Sequence, residues 1–378
     1  MSPRRTLEAF EHIPGPRVVY GVGSLARLGA LADGLGATRA LVVTDAGVVA
    51  AGILDRALHS LQAASVAAVV YDGAPSNPSS DDVATAAAFA AERGPFDLIV
   101  GLGGGSAMDC AKGVNFILTG GGVMSDYWGY GKAGKDMIAS IGVPTTAGTG
   151  SEAQSYALIS DPVTGRKMAC GDLRARFRGV VLDASLTTSV PCGVTGVTGI
   201  DAIVHAVESY VSTKANPLSR MYAREAFALI DGSLEAVLAT PLDMDGRAAM
   251  LLGAHYAGCA IENSMLGAAH ASANPLTARH GVPHGVAVGL MAPHVVAYNQ
   301  EANAEWYDGL GAYQPETLAE RLETLRAAAG MPSRLRECEV NGPDLDGLAD
   351  LAAEEWTGKF NPRPVTRVDF RALYETAF

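Results

Sequence analysis

Short unbroken apolar runs alternate with Ala-rich stretches through the first half of the chain, and the two textures predict buried strands and helices in turn. Residues 40–44 (ALVVT), 66–71 (VAAVVY), 97–100 (DLIV), 137–143 and 179–182 are expected as strands. A helix is expected over residues 52–61. Another should follow Ser79 or Ser80, either of which can cap it, and run through DDVATAAAFAAER to a stop at Gly94. Strand, helix, strand in this rhythm predicts a mostly parallel sheet covered on both faces.

Beyond about residue 190 the strand signals cease and apolar positions recur at helical spacing. Helices are expected over 201–212, 217–239, 247–262, 317–329 and 344–356. The expected architecture is therefore an α/β N-terminal domain over residues 1–188 and an all-α C-terminal domain over 189–378. No long linker separates them, so a cleft between the halves is expected.

Composition narrows the function classes. Of 378 residues, 48% are hydrophobic and 18% charged, with 44 Gly and 19 Pro, which is a globular composition. The 28 basic and 40 acidic residues give a formal net charge of −12, and no basic block offsets it, so nucleic acid is not an expected partner. Apolar runs break at Asp45, Asp55, His284 and His294 before reaching membrane-spanning length, so no membrane span is expected. Two arginines open the chain with no apolar stretch behind them, unlike a signal peptide. Five cysteines, widely spaced and odd in number, fit reduced thiols in the cytoplasm.

Two loops carry candidate chemistry in the first half. The segment Gly101-Leu-Gly-Gly-Gly-Ser-Ala-Met-Asp-Cys-Ala-Lys112 follows a strand and opens a helix. Glycines admit a diphosphate close to the backbone, and the helix N-terminus offers N–H donors at its positive end. Ser106 and Asp109 are expected to pair there as a capping box. A second loop, Pro144-Thr-Thr-Ala-Gly-Thr-Gly-Ser-Glu152, packs hydroxyls beside glycines, again at a strand end. Asp45 closes the strand ALVVTD, where a carboxylate suits either a ribose diol or the cap of the next helix.

The second half holds a different constellation. Asp201 and His205 lie four apart in a helical context, so they share a face, and carboxylate plus imidazole make half of a metal site. Downstream, three of the eight histidines fall between residues 270 and 284. Spacing leaves open which of His270, His280, His284 or His294 complete a ligand set.

Taken together, GGGSAMDCAK, PTTAGTGSE, ISDPVTGRK, LDASLTTSVP, GIDAIVHAVESY, the His270–His294 stretch with PHG and PHV, and FNPRPVT resemble the iron-containing (group III) alcohol dehydrogenase family. They occur in family order and span the chain from about residue 10 to its end. The resemblance implies the dehydroquinate-synthase-like fold: a dinucleotide-binding domain and a helical metal-binding domain. It implies metal ligation by Asp201, His205, His270 and His284, and diphosphate binding at Gly104, Gly105 and Ser106 with Asp109 beside them. It further implies cofactor contacts from Thr145, Thr146 and Thr149, from Lys167 at the nicotinamide ribose, and from the backbone of Leu186. Three positions depart from the family: Asn274 replaces a frequent histidine, Ala184 a frequent proline, and His280 a frequent aromatic.

The implied activity is hydride transfer between a nicotinamide cofactor and a small primary alcohol or aldehyde, assisted by Fe²⁺. Zn²⁺ also suits this oxygen and nitrogen donor set. NAD is expected over NADP because Asp45 would repel a 2′-phosphate. The rival readings are a glycerol-type polyol dehydrogenase, a dehydroquinate-synthase-like lyase, and a metal- and nucleotide-binding protein without catalysis. Only six lysines occur in the chain, which argues against the lyase. The expected assembly is a homodimer. His280 is expected to relay protons in place of the missing histidine, and Arg279 with His280 to favour an aldehyde bearing a carboxylate or phosphonate.

Overall fold

The computed structural model describes residues 9–311 and 317–378; the arginines that open the chain, Arg4 and Arg5, lie outside them. The first half builds strands β1 (Arg17–Tyr20), β2 (Arg39–Val43), β3 (Ala67–Tyr71), β4 (Leu98–Gly103), β5 (Gly129–Tyr130), β6 (Ala139–Pro144), β7 (Tyr156–Ser160), β8 (Lys167–Gly171) and β9 (Gly179–Leu182). Between them run helices α1 (Leu28–Asp33), α2 (Ala46–Ala50), α3 (Ile53–Ala63), α4 (Ser80–Arg93) and α5 (Gly105–Gly120).

Six strands pair all-parallel in the order β1-β9-β6-β4-β2-β3. The central strands β2, β4, β6 and β9 are buried on both faces, which is why they read as apolar runs, while the edge strands β1 and β3 are partly exposed. Ala40 and Val42 of β2 enter one core with Leu98, Val100 and Leu102 of β4. Leu41, Val43 and Ile99 enter a second core on the other face, with Ala107, Cys110, Ala111 and Val114 of α5. Gly101 lets α5 lie close on this sheet: a Cβ there would meet Ala111 Cβ, Met108 Cα and Phe177 at 3.2 Å. Ser79 is the residue that caps α4, in a capping box with Asp82. A smaller sheet, ordered β5-β8-β7 with an antiparallel β7–β8 pair, was not foreseen from the sequence.

Among the described residues no strand follows β9. The remainder forms α6 (Cys192–Val211), α7 (Pro217–Asp231), α8 (Leu234–Ala239), α9 (Met244–Glu262), α10 (Ala268–His280), α11 (His284–Ala302), α12 (Leu318–Ala328), α13 (Asp344–Glu354) and α14 (Arg367–Ala377). The single helix expected over 217–239 is broken at Gly232 into α7 and α8. No helix among the described residues is long and apolar enough to cross a membrane.

The chain divides into two compact units. One contains residues 16–195 and 239–255; the other contains residues 9–15, 196–238 and 256–378. The excursion 239–255 belongs with the sheet for two polar reasons. The Arg247 guanidinium, 2% exposed, donates to the carbonyls of Pro241 and Thr187. His255 meets Glu152 at 3.1 Å, both side chains buried.

Candidate functional site

In the sheet unit, three adjacent parallel strands end together. The register sets Val43 of β2 beside Gly101 of β4, and Gly103 of β4 beside Pro144 of β6. The chain leaves β2 toward β3 at one edge and leaves β4 toward β6 on the other side. The C-terminal ends of β2 and β4 therefore flank the point where the winding reverses, the place open α/β sheets bind ligands. Asp45, Gly103–Gly105 and Thr145–Thr149 all follow these ends.

The Gly-rich turn is built for close approach. Gly103 takes φ +150°, a conformation L side chains rarely adopt, and a Cβ there would lie 2.9 Å from Asp45 Oδ2. A Cβ on Gly105 would come within 2.7 Å of Thr149 Cγ2, and one on Gly104 within 3.6 Å of Thr146. Thr145 N donates to Gly103 O at 3.0 Å, stitching the second loop to the first. The α5 N-terminus begins at N-cap Gly104 with no side-chain cap, leaving its first N–H groups without an intrahelical partner. This cradle fits a diphosphate.

Ser106 and Asp109 do not form the expected capping box. With Gly104 at the N-cap, Ser106 is already inside the helix, and its Oγ accepts from Asn77 N at 3.0 Å. Asp109 is buried and accepts from Ser151 Oγ at 2.6 Å, with Lys112 Nζ at 3.9 Å. Burial pushes its carboxyl up, opposed by the Lys112 charge and the Ser151 hydrogen bond. Lys112, 1% exposed, donates to Ser151 Oγ and to the carbonyls of Ser151 and Tyr156. Asp109 and Lys112 thus brace the second loop from beneath the first. Asp45 Oδ1 caps α2 through Val48 N at 3.0 Å. Lys167 opens β8 opposite Ser160, close enough for its charge to act on Asp109. Leu186 is fully buried in the core.

In the helical unit, α6 places Asp201, His205 and Glu208 along one face. The buried Asp201 Oδ1 lies 3.6 Å from His205 Nε2, 3.5 Å from His270 Nε2 and 3.9 Å from His284 Nε2. His270 sits near the start of α10 and His284 opens α11 after a turn through Gly281, whose φ is +66°. The rings of His205 and His270 stack with centroids 4.8 Å apart. Donor atoms of Asp201, His270 and His284 all lie within 4.8 Å of one another. Asp201 Oδ1 and His270 Nε2 are buried and make no hydrogen bond among the described residues.

The charges are strongly coupled. Burial alone would raise the Asp201 carboxyl, but His205, His270 and His284 hold it far below the usual carboxylate range. Burial opposes a charged His270, yet Glu208 and Asp201 outweigh it and lift the ring to about 9. Two buried atoms lacking partners, inside a set of one carboxylate and three imidazoles, fit a divalent cation. The four-residue set expected from the resemblance is brought together.

Other candidates are not. His280 ends α10 with Nε2 4.0 Å from Asp344 Oδ2 on α13, and Arg279 NH1 lies 3.0 Å from where a Gly347 Cβ would sit. Both basic groups turn to α13. Asn274 donates to Glu355 Oε2 at 3.0 Å. His294 is held below its ordinary value by burial, with Glu323, Arg326 and Arg334 around it. Sequence reasoning missed Glu208 and His255; a carboxylate seven residues after Asp201 in a helix was the available signal for the first.

Residues 15–184 match the family described as iron-containing alcohol dehydrogenase, and residues 195–378 match the C-terminal family of Fe-containing alcohol dehydrogenases. The chain is 32% identical over 367 residues to alcohol dehydrogenase 4 of Schizosaccharomyces pombe, covering 95% of this chain and 87% of that protein. Its fold superposes on a crystal structure of 1,3-propanediol oxidoreductase with a TM-score of 0.92 at 30% identity, covering 98% of this chain and 100% of that one. A sulfoacetaldehyde reductase from Bifidobacterium kashiwanohense, solved in complex with NAD⁺, superposes with a TM-score of 0.88 at 25% identity, covering 98% and 99%.

Proposed function

The chain belongs to the iron-containing alcohol dehydrogenases, oxidoreductases that move hydride between a nicotinamide and an alcohol or aldehyde, and on that footing we propose an NAD-dependent enzyme for small primary alcohols or aldehydes that holds Fe²⁺ at Asp201, His205, His270 and His284. The observation that carries this reading is the convergence of three imidazoles on Asp201 Oδ1, at 3.5 to 3.9 Å. When bound, the cation supplies Lewis acidity toward the substrate oxygen.

The chain's own residues do the rest. Gly103–Gly105 and the α5 N-terminus hold the diphosphate, and Thr145, Thr146 and Thr149 line the opposing loop. Asp109, Ser151 and Lys112 fix the spacing of the two loops. Asp45 keeps one oxygen on the α2 cap and presents the other beside Gly103, where a ribose diol is accepted and a 2′-phosphate repelled. Lys167 and the Leu186 backbone complete the cofactor contacts in this proposal, and the enzyme works as a cytoplasmic homodimer.

Elemental analysis of the purified protein, followed by an aldehyde panel with NADH and with NADPH, tests the reading. It requires bound iron or zinc and NADH oxidation by at least one small aldehyde. A protein with neither, or one that prefers NADPH, overturns the corresponding half.

A further inference from the structure

Helix α10 carries His270, and its N-terminus lacks a cap of its own. The N-cap is Gly267, which has no side chain to offer its orphan N–H groups. Two residues from elsewhere serve instead. Glu208 Oε1, from α6, accepts from Ala269 N at 2.6 Å, and Asn361 Oδ1 accepts from Ala268 N at 3.4 Å. Gly267 is what lets them in: a Cβ there would lie 3.0 Å from Glu208 Oε1 and 3.1 Å from Asn361 Oδ1. Asn361 belongs to the FNPRPVT segment, and it is held by Asn299 Oδ1 at 2.7 Å and the Arg363 carbonyl at 2.7 Å.

The other Glu208 oxygen, Oε2, meets His270 Nδ1 at 2.6 Å, with both groups buried. A carboxylate only accepts, so Nδ1 carries a proton, and in the neutral ring that a cation requires Nε2 is the nitrogen left to give a lone pair. Nε2 is also the atom that faces Asp201 Oδ1. Both Glu208 oxygens are therefore committed to seating His270, one through its ring and one through its backbone neighbour.

We propose that Glu208, with Asn361 completing the same seat, is a positioning residue that fixes the ring and tautomer of His270 toward a divalent cation. The inference rests on the metal reading above. Outer partners of this kind are worth about 10- to 100-fold in metal affinity. Glutamine at 208 offers one acceptor where two are needed, because its NH₂ must face either the Ala269 N–H or the His270 Nδ1–H.

The test uses the full chain stripped of metal and titrated with Co²⁺ against a competing chelator, following both affinity and the visible spectrum of the bound ion. Glu208→Gln should weaken Co²⁺ binding about 10- to 100-fold and alter the spectrum, Glu208→Ala should do more, and Asn361→Ala less. NADH binding, measured by fluorescence, should be unchanged in all three. If Glu208→Gln does not fold, Asn361→Ala carries the test, with the same direction required. Wild-type Co²⁺ affinity and spectrum in these variants would overturn the positioning role alone. Failure of the wild-type chain itself to bind Co²⁺ would instead overturn the metal reading, and this inference with it.

Discussion

Gly105→Ala isolates the contact between the two loops at the sheet edge. The added Cβ would sit 2.7 Å from Thr149 Cγ2, 2.8 Å from its Oγ1 and 3.0 Å from its Cβ. Two effects oppose one another. Alanine is the better helix former by roughly 0.5–1 kcal/mol, an upper bound for the first residue of α5. Overpacking of this kind costs about 1–3 kcal/mol. The clash wins, because the neighbour is a β-branched side chain stiff at χ1 rather than the far end of a flexible one. Thr149 can escape only by moving the loop that carries Thr145 and Thr146.

If that movement falls on cofactor binding, 1–3 kcal/mol is roughly a 5- to 150-fold rise in the NADH Kd. If the loops stay together, the same energy is lost from stability instead. NADH fluorescence titration and a thermal melt together account for both routes. Adding Thr149→Ala removes the two closest contacts, so the double variant should recover part of whichever quantity Gly105→Ala lowered, NADH affinity or Tm, relative to Thr149→Ala alone, a coupling readable as a double-mutant cycle. An unchanged Kd together with an unchanged Tm in Gly105→Ala would refute the loop contact, as would strict additivity of the two substitutions in both Kd and Tm.

Four further outcomes are expected. His205→Ala should release the bound ion, read by elemental analysis, and leave NADH binding intact; an ion retained at wild-type stoichiometry would exclude His205 as a ligand. Asp45→Ser keeps an α2 cap while removing the carboxylate, so the NADPH-to-NADH ratio of kcat/KM should rise without the loss of about 1 kcal/mol that a missing cap brings. Burial pushes the Cys110 and Cys170 thiols up to about 12, so iodoacetamide near neutral pH should modify exposed Cys192 and spare both until denaturant is added. Arg279→Ala and His280→Ala should leave kcat/KM unchanged for a semialdehyde carboxylate and for its neutral counterpart alike, since both side chains face α13; a selective loss with the charged aldehyde would restore the substrate role.

What the sequence disclosed divides along physical lines. Strands buried on both faces read as apolar runs, so β2, β4 and β9 were legible, whereas β1 is a four-residue edge strand with Val18 and Tyr20 exposed and gave no such run. Within one helix, spacing is geometry. At about 100° per residue Asp201, His205 and Glu208 fall on one face, so the pair was readable and the third member readable in principle. Across a helix break, spacing loses that meaning. His270 and His280 are ten residues apart on α10, about 80° around its axis and about 15 Å along it, so they cannot both reach Asp201. His284 does face it, because Gly281 in the left-handed region ends α10 and lets α11 set off in a new direction. A count from His270 to His284 carries no record of that turn, and the histidine set was completed by the resemblance rather than by spacing. The Glu208–His270 pair joins residues 62 apart in sequence, and the sequence holds no local trace of it. Chemistry confined to one element is therefore written in the sequence pattern, while chemistry assembled between elements becomes visible only when the turns that orient them are known.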